Sequence, residues 1–200
     1  MGSEFMKPAT ESCVCVDDYN GPDANINLYP SFFRANPEIT SEHLNAAKKS
    51  WLKILTGSSS HFRRIKGQSP KYYDEGFQWF GDVLYDNFFE VHPTAFHLFN
   101  KDMSKQKMMI AKMISLVLDM IDRPNEIHVI LIDLAVKHSK YGVHAVQYGI
   151  FCNSFIHALQ YCLSEEYTEF VDQSWTRVRW SKIHIEYMNN ILSINCYVKD

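Results

Sequence analysis

The stretch that most limits what this chain can fold into is residues 131–148, LIDLAVKHSKYGVHAVQY. Ile127, Leu131 and Leu134 recur at four- and three-residue steps, the spacing of one stripe along a helix. His138 falls four residues after Leu134 and closes the same apolar stripe. Gly142 then reads as the helix stop, before Val143 opens the next segment. A histidine so placed is most often a core residue with a hydrogen-bond partner. It becomes a candidate ligand when other segments supply matching groups in the right order.

The rest of the chain is helical in pattern. Thr40 or Ser41 can cap a first helix with Glu42 in its first turn, and Leu44, Ala47, Trp51 and Leu55 form its stripe. Residues 56–71, TGSSSHFRRIKGQSPK, read as a long surface loop; the run His61 to Lys66 is either a docking patch or simply solvated. A second helix runs from about Tyr72 to Glu90, with Phe77, Gly81, Tyr85 and Phe88 on one face, and Pro93 ends or kinks the chain beyond it. Glycine inside a helix costs about 1 kcal/mol relative to alanine, so Gly81 points to a close helix crossing. Tyr85 places a hydroxyl on that otherwise apolar face, and a buried hydroxyl needs a partner.

Thr94 to Phe99 reads as a short helical turn and corner. A third long helix, about 103–121, carries Met103, Gln106, Ile110, Met113, Val117 and Ile121, and Gln106 is the polar residue on that inward face. A lone inward glutamine ordinarily caps a neighbouring backbone group; Gln106 and Tyr85 together, from two helices, shift the balance towards a site. The helix bearing His138 comes after Arg123-Pro124-Asn125. Beyond it lie a helix at about 144–163 with Tyr148, Phe151, Phe155, Leu159 and Cys162 on one side, and a last one at about 167–194 with Trp175, Val178, Ile185, Met188 and Leu192 inward. With no hairpin signal and no internal repeat, the expected class is all-α, packed ridges-into-grooves.

Composition narrows the function. Two hundred residues make about one domain, large enough to bury a substantial core. A net charge of −3 gives no reason to expect nucleic acid or an anionic membrane as partner. Eleven Tyr, thirteen Phe and eight Met suit either a wide apolar cavity or a bulky ordinary core. The five cysteines, Cys13, Cys15, Cys152, Cys162 and Cys196, are odd in number and include no CxxC, which argues against a secreted disulfide scaffold or a zinc ribbon. Met1 to Phe5 read as a cloning remnant, and four prolines in residues 6–39 suggest a flexible extension. The expected division is therefore 1–39 as remnant and extension and 40–200 as the folded domain. There is no secretory apolar run, and the best membrane candidate, MISLVLDMI, is broken by Asp119, so a cytoplasmic protein is expected.

From about Thr40 to Ile194 these spacings together resemble the globin family. Trp51, eleven residues after the cap, resembles the tryptophan of the first globin helix. Pro93 and Phe99 in HPTAFHLF resemble the proline of the third helix and the phenylalanine that packs on haem. Tyr85, eight residues before Pro93, stands where the distal second-helix residue does, and LAVKH resembles the motif ending in the proximal histidine. The distal pair Tyr85 and Gln106, and Tyr148 ten residues after His138, look closest to bacterial haemoglobins and flavohaemoglobin globin domains. Three features depart from that group: the long 56–71 loop, Asn190 in place of a final-helix glutamate, and no flavin or nicotinamide domain.

The resemblance implies a three-over-three globin fold of about six to eight helices around one haem b, held without covalent attachment because no CxxCH occurs. His138 would be the iron ligand, its other nitrogen donating to a carbonyl such as that of Leu134. Phe99, Ile110, Leu134, Val143, Tyr148 and Phe151 would line the pocket. Ferrous iron is expected to keep its sixth position open, unless Lys107, Met103 or Met109 takes it. Tyr85 and Gln106 would donate hydrogen bonds to dioxygen, each worth about 1–3 kcal/mol, and so slow its release by about a hundredfold. Reversible, high-affinity binding of dioxygen, with carbon monoxide and nitric oxide as further ligands, is the first expectation, in gas sensing or scavenging. The alternative is a nitric oxide dioxygenase or peroxidase-like enzyme using an external reductase. A haem-free structural globin is disfavoured by His138, Tyr85 and Gln106, since an empty pocket would be filled with apolar bulk.

Overall fold

The computed structural model describes residues 38–66, 68, 73, 75–99, 102–143 and 145–179. The expected extension up to residue 37, Cys13, Cys15 and Cys196, and the second half of the last helix with Asn190 lie outside the described residues. Among those residues there are seven α-helices and no strand, the all-α architecture that the periodicity predicts. Helix α1 spans Ser41–Leu55, α2 Ser60–Lys66, α3 Gly76–Val91, α4 Ser104–Met120, α5 Pro124–Lys140, α6 Ala145–Leu163 and α7 Glu169–Arg179. Short 3-10 turns at Pro93–Leu98 and Ser164–Glu166 make two of the corners. None of the described helices is long and apolar enough to cross a membrane.

The most extensive packings are α3 on α6 and α1 on α7. Helix α1 begins at Thr40, whose hydroxyl accepts from the His43 amide at 3.4 Å, and it buries Ala47, Trp51 and Ile54. The Trp51 ring meets Phe80 and Trp175 edge-on, with centroids 5.2 and 6.4 Å apart. Burying a large apolar side chain in this way contributes about 1.5–3 kcal/mol. Both indole N–H groups stay satisfied: Trp51 donates to Ser115 Oγ and Trp175 to Ser50 Oγ, each at 2.9 Å. Helix α1 is thereby pinned to α4 on one side and α7 on the other.

Residues 56–71 are not one open loop, because α2 folds inside them. Ser59 is buried and its hydroxyl accepts from the Phe62 amide at 3.2 Å, and Phe62 is itself buried. His61 lies against Trp79 and Tyr161, at 5.4 and 5.3 Å between centroids. The corner at Glu165 and Glu166 holds the segment: Ser60 N–H donates to Glu166 at 2.8 Å and Ser60 Oγ to Glu165 at 3.0 Å. Lys53 adds a bond of 2.6 Å to Glu166. A seven-residue helix is too short to persist alone, so these distant carboxylates and the Phe62 anchor explain why it forms.

The apolar interior divides in two. The larger cluster joins α1, α3, α4, α6 and α7 around Trp51, Phe80, Leu84, Phe88, Leu159 and Trp175. The smaller one, Met120, Ile127, Leu131 and Ala135 with Leu134 and Tyr148 against it, ties α5 chiefly to α4. The stripe that ends at His138 thus belongs to the second cluster, while Tyr85 belongs to the first.

Candidate functional site

Helix α5 starts with Pro124 in its first turn, where the missing N–H is harmless. It stops as the sequence predicts: Gly142 has φ +78, in the left-handed region that glycine enters without steric penalty. That turn lets Val143 N–H reach back to the His138 carbonyl at 3.1 Å. His138 is half-buried at this end, and its Nδ1 lies 2.9 Å from the Leu134 carbonyl. A carbonyl only accepts, so Nδ1 carries the proton and Nε2 carries the lone pair. Burial pushes the His138 imidazole below its ordinary pKa, against the opposing pull of the Leu134 carbonyl, so the ring is neutral at pH 7. Tyr148, arriving from α6, stands edge-on to that ring with centroids 5.7 Å apart.

In the larger cluster, Tyr85 of α3 lies among aromatic side chains and is 5% exposed. Its ring packs on Phe99 at 5.5 Å and on Phe89 and Phe151 at 6.0 Å. Burial holds its phenol well above the ordinary range, so it is a protonated hydrogen-bond donor at any physiological pH. No described residue hydrogen-bonds this hydroxyl. Among described side chains the sealed and unpartnered polar atom is His61 Nε2, so the Tyr85 hydroxyl opens onto accessible space. Gln106 sits half-buried in the first turn of α4, also without a hydrogen-bond partner among the described residues.

The structure therefore brings Tyr85, Phe99 and Phe151 together, and separately Leu134, His138 and Tyr148. Ile110 packs on the larger cluster, and Val143 is half-buried just past the end of α5. No hydrogen bond joins Gln106 to Tyr85. The three alternative ligands weighed from sequence have different surroundings. Met109 is 55% exposed, Met103 packs on the larger cluster, and the Lys107 ammonium pairs with Asp82.

Sequence reasoning missed the Lys107–Asp82 pair and the full extent of the aromatic wall. Phe88 packs edge-on against Phe99 and Phe151 at 6.1 and 5.5 Å, and Phe89 packs against Phe99 at 5.2 Å. The adjacent Phe88-Phe89 pair was the available signal: a helix with aromatic residues on two faces must bury both. At the end of α3, His92 also approaches buried Gln147 of α6, Nε2 to Nε2 3.5 Å. Compared with known families, residues 82–179 match the family model described as Globin, a span from the first turns of α3 to the end of α7 as described.

Proposed function

This chain belongs to the globin family through residues 82–179, and from that membership we propose that it is a haem b protein binding dioxygen reversibly with high affinity, in sensing or scavenging. Globins hold haem and bind diatomic gases generally. The residues present fit that group. A neutral imidazole with its lone pair on Nε2 is the ligand form of histidine, and the Leu134 carbonyl both orients the ring and raises its basicity. Phe99, Ile110 and Phe151 of the larger cluster, with Leu134 and Val143 beside His138, would supply apolar walls for a flat macrocycle. When bound, the haem would supply an iron centre able to take up a diatomic gas.

The observation that carries the reading is Tyr85: a buried hydroxyl, protonated, unpartnered among the described residues and open to accessible space. No described protein acceptor competes for that proton, so it remains available to a ligand that enters. The hydroxyl proton would be available to a gas ligand that carries partial negative charge when held. The Gln106 amide, on the first turn of α4, provides a second donor. Two bonds of about 1–3 kcal/mol each slow gas release by on the order of a hundredfold, which favours trapping over delivery. Absorption spectra of the purified ferric, ferrous and carbonyl forms test the reading. A ferrous, five-coordinate spectrum that shifts on adding carbon monoxide is expected; failure to take up haem would overturn it.

A further inference from the structure

We infer that Asp82 and Lys107 form a positioning clamp that sets the separation of the two distal donors, an inference that rests on the haem-pocket reading above. Helices α3 and α4 cross at Gly81, where a Cβ would sit 2.5 Å from Lys107 Cγ and 2.8 Å from Lys107 Cβ. Carbon atoms need about 3.5–4.0 Å, so the glycine is what lets the lysine stem lie flat on α3. From that stem the Lys107 ammonium reaches Asp82 Oδ1, while Tyr73 donates its hydroxyl to Asp82 Oδ2 at 2.8 Å. Both oxygens of one carboxylate are thus engaged, and the Lys107 and Asp82 side chains are only 19% and 14% exposed. A pair this sheltered differs from the exposed ion pairs Lys137–Asp133 and Arg123–Glu126, whose side chains are half exposed or more. Removing either partner leaves a poorly solvated charge behind.

Its place in the fold turns a structural pair into a functional one. Asp82 lies three residues before Tyr85, and Lys107 comes immediately after Gln106. Residues three apart on a helix are neighbours, so one end of the clamp fixes the turn that carries Tyr85. The other end fixes the first turn of α4, which carries Gln106 and where the backbone ladder is incomplete. Hydrogen bonds weaken steeply with distance and misalignment. A rocking of α4 on α3 by a fraction of an ångström would therefore spoil two-donor contact with a small ligand while leaving the pocket formed. The same bond commits the lysine ammonium to Asp82.

The test compares wild type with Asp82→Asn, Lys107→Met, their double variant and Lys107→Arg, using whole protein with and without haem. Lys107→Met keeps the stem on Gly81 and removes the charge. In the haem-loaded proteins, oxygen dissociation in each single variant should quicken at least about fivefold. Carbon monoxide dissociation should stay within about twofold, since that gas accepts hydrogen bonds weakly. Lys107→Arg, which keeps the charge, should remain near wild type for both gases. The double variant should release oxygen no faster than the faster single, because the two residues act as a unit. In the haem-free proteins, denaturant unfolding should show the same non-additivity. Unchanged oxygen release, equal acceleration of both gases, or effects that multiply in the double variant would each overturn the clamp. If Asp82→Asn fails to fold, Lys107→Met against Lys107→Arg decides the matter. A wild type that takes up no haem overturns the functional reading and the clamp together, whereas haem-loaded variants indistinguishable from wild type overturn the clamp alone.

Discussion

Replacing Tyr85 by phenylalanine removes one oxygen and leaves the ring among Phe89, Phe99 and Phe151, so no cavity larger than a hydroxyl opens. In the haem-free protein this hydroxyl has no partner among the described residues, so the variant should match wild type in stability to within about 1 kcal/mol, because no protein hydrogen bond is lost. The ligand-bound protein should respond more strongly. Loss of one hydrogen bond to dioxygen, about 1.5–3 kcal/mol, raises its dissociation rate roughly ten- to a hundredfold. Carbon monoxide should leave at nearly the unchanged rate. Stopped-flow displacement of each gas, paired with denaturant unfolding of the haem-free protein, measures all three quantities. Equal acceleration of both gases would make Tyr85 a steric gate. An oxygen rate that does not move would mean that the hydroxyl never meets the ligand, and the high-affinity reading would fall with it. A haem-free variant less stable by more than about 1 kcal/mol would show that the hydroxyl is satisfied within the fold, contrary to the structure.

Further tests bear on other parts of the molecule. His138→Ala should lose tightly held haem or the normal ferrous spectrum, and wild-type-like retention would remove His138 as the ligand. Ferrous wild type should be five-coordinate, with Lys107 engaged by Asp82 and Met109 largely exposed; a low-spin spectrum without added ligand would contradict that. Docking of α2 should be lost in acid. The Glu165 carboxyl is pulled down to about 2 by its own backbone amide, then by Ser164, Ser60 and Arg64. Burial raises that of Glu166, but Lys53 and Ser60 outweigh it and hold it below the usual 4.5. Because both folded values lie below the unfolded ones, their stabilisation is present above about pH 4.5 and disappears as pH falls towards 2. Trp79 fluorescence should report α2 leaving, through the adjacent His61 ring. Glu166→Gln should weaken α2 docking at pH 7 and flatten its response to acid; an undiminished acid transition in that variant would refute the assignment.

The residues alone determined whatever depends on neighbours three or four positions away. The stripe Ile127, Leu131, Leu134 fixes the face of α5 and puts His138 within reach of the Leu134 carbonyl, found at 2.9 Å. Gly142 as the stop stems from its freedom to take φ +78, and Gly81 as a crossing stems from its lack of a Cβ. Trp51 as an inward anchor came from the same periodicity, although its partners Ser115, Phe80 and Trp175 did not. Tertiary structure alone decided what is held by groups remote in sequence. The polar composition of residues 56–71 signals a loop, yet Ser60 finds Glu166, 106 residues later, and α2 forms. Lys107 looks from its position like a free cation beside the pocket, until the α3–α4 crossing delivers Asp82 from 25 residues away. Helical periodicity is written by each segment for itself, whereas these pairings exist only once two helices have chosen their crossing point, and the closeness of that choice rests on packing that no single segment contains.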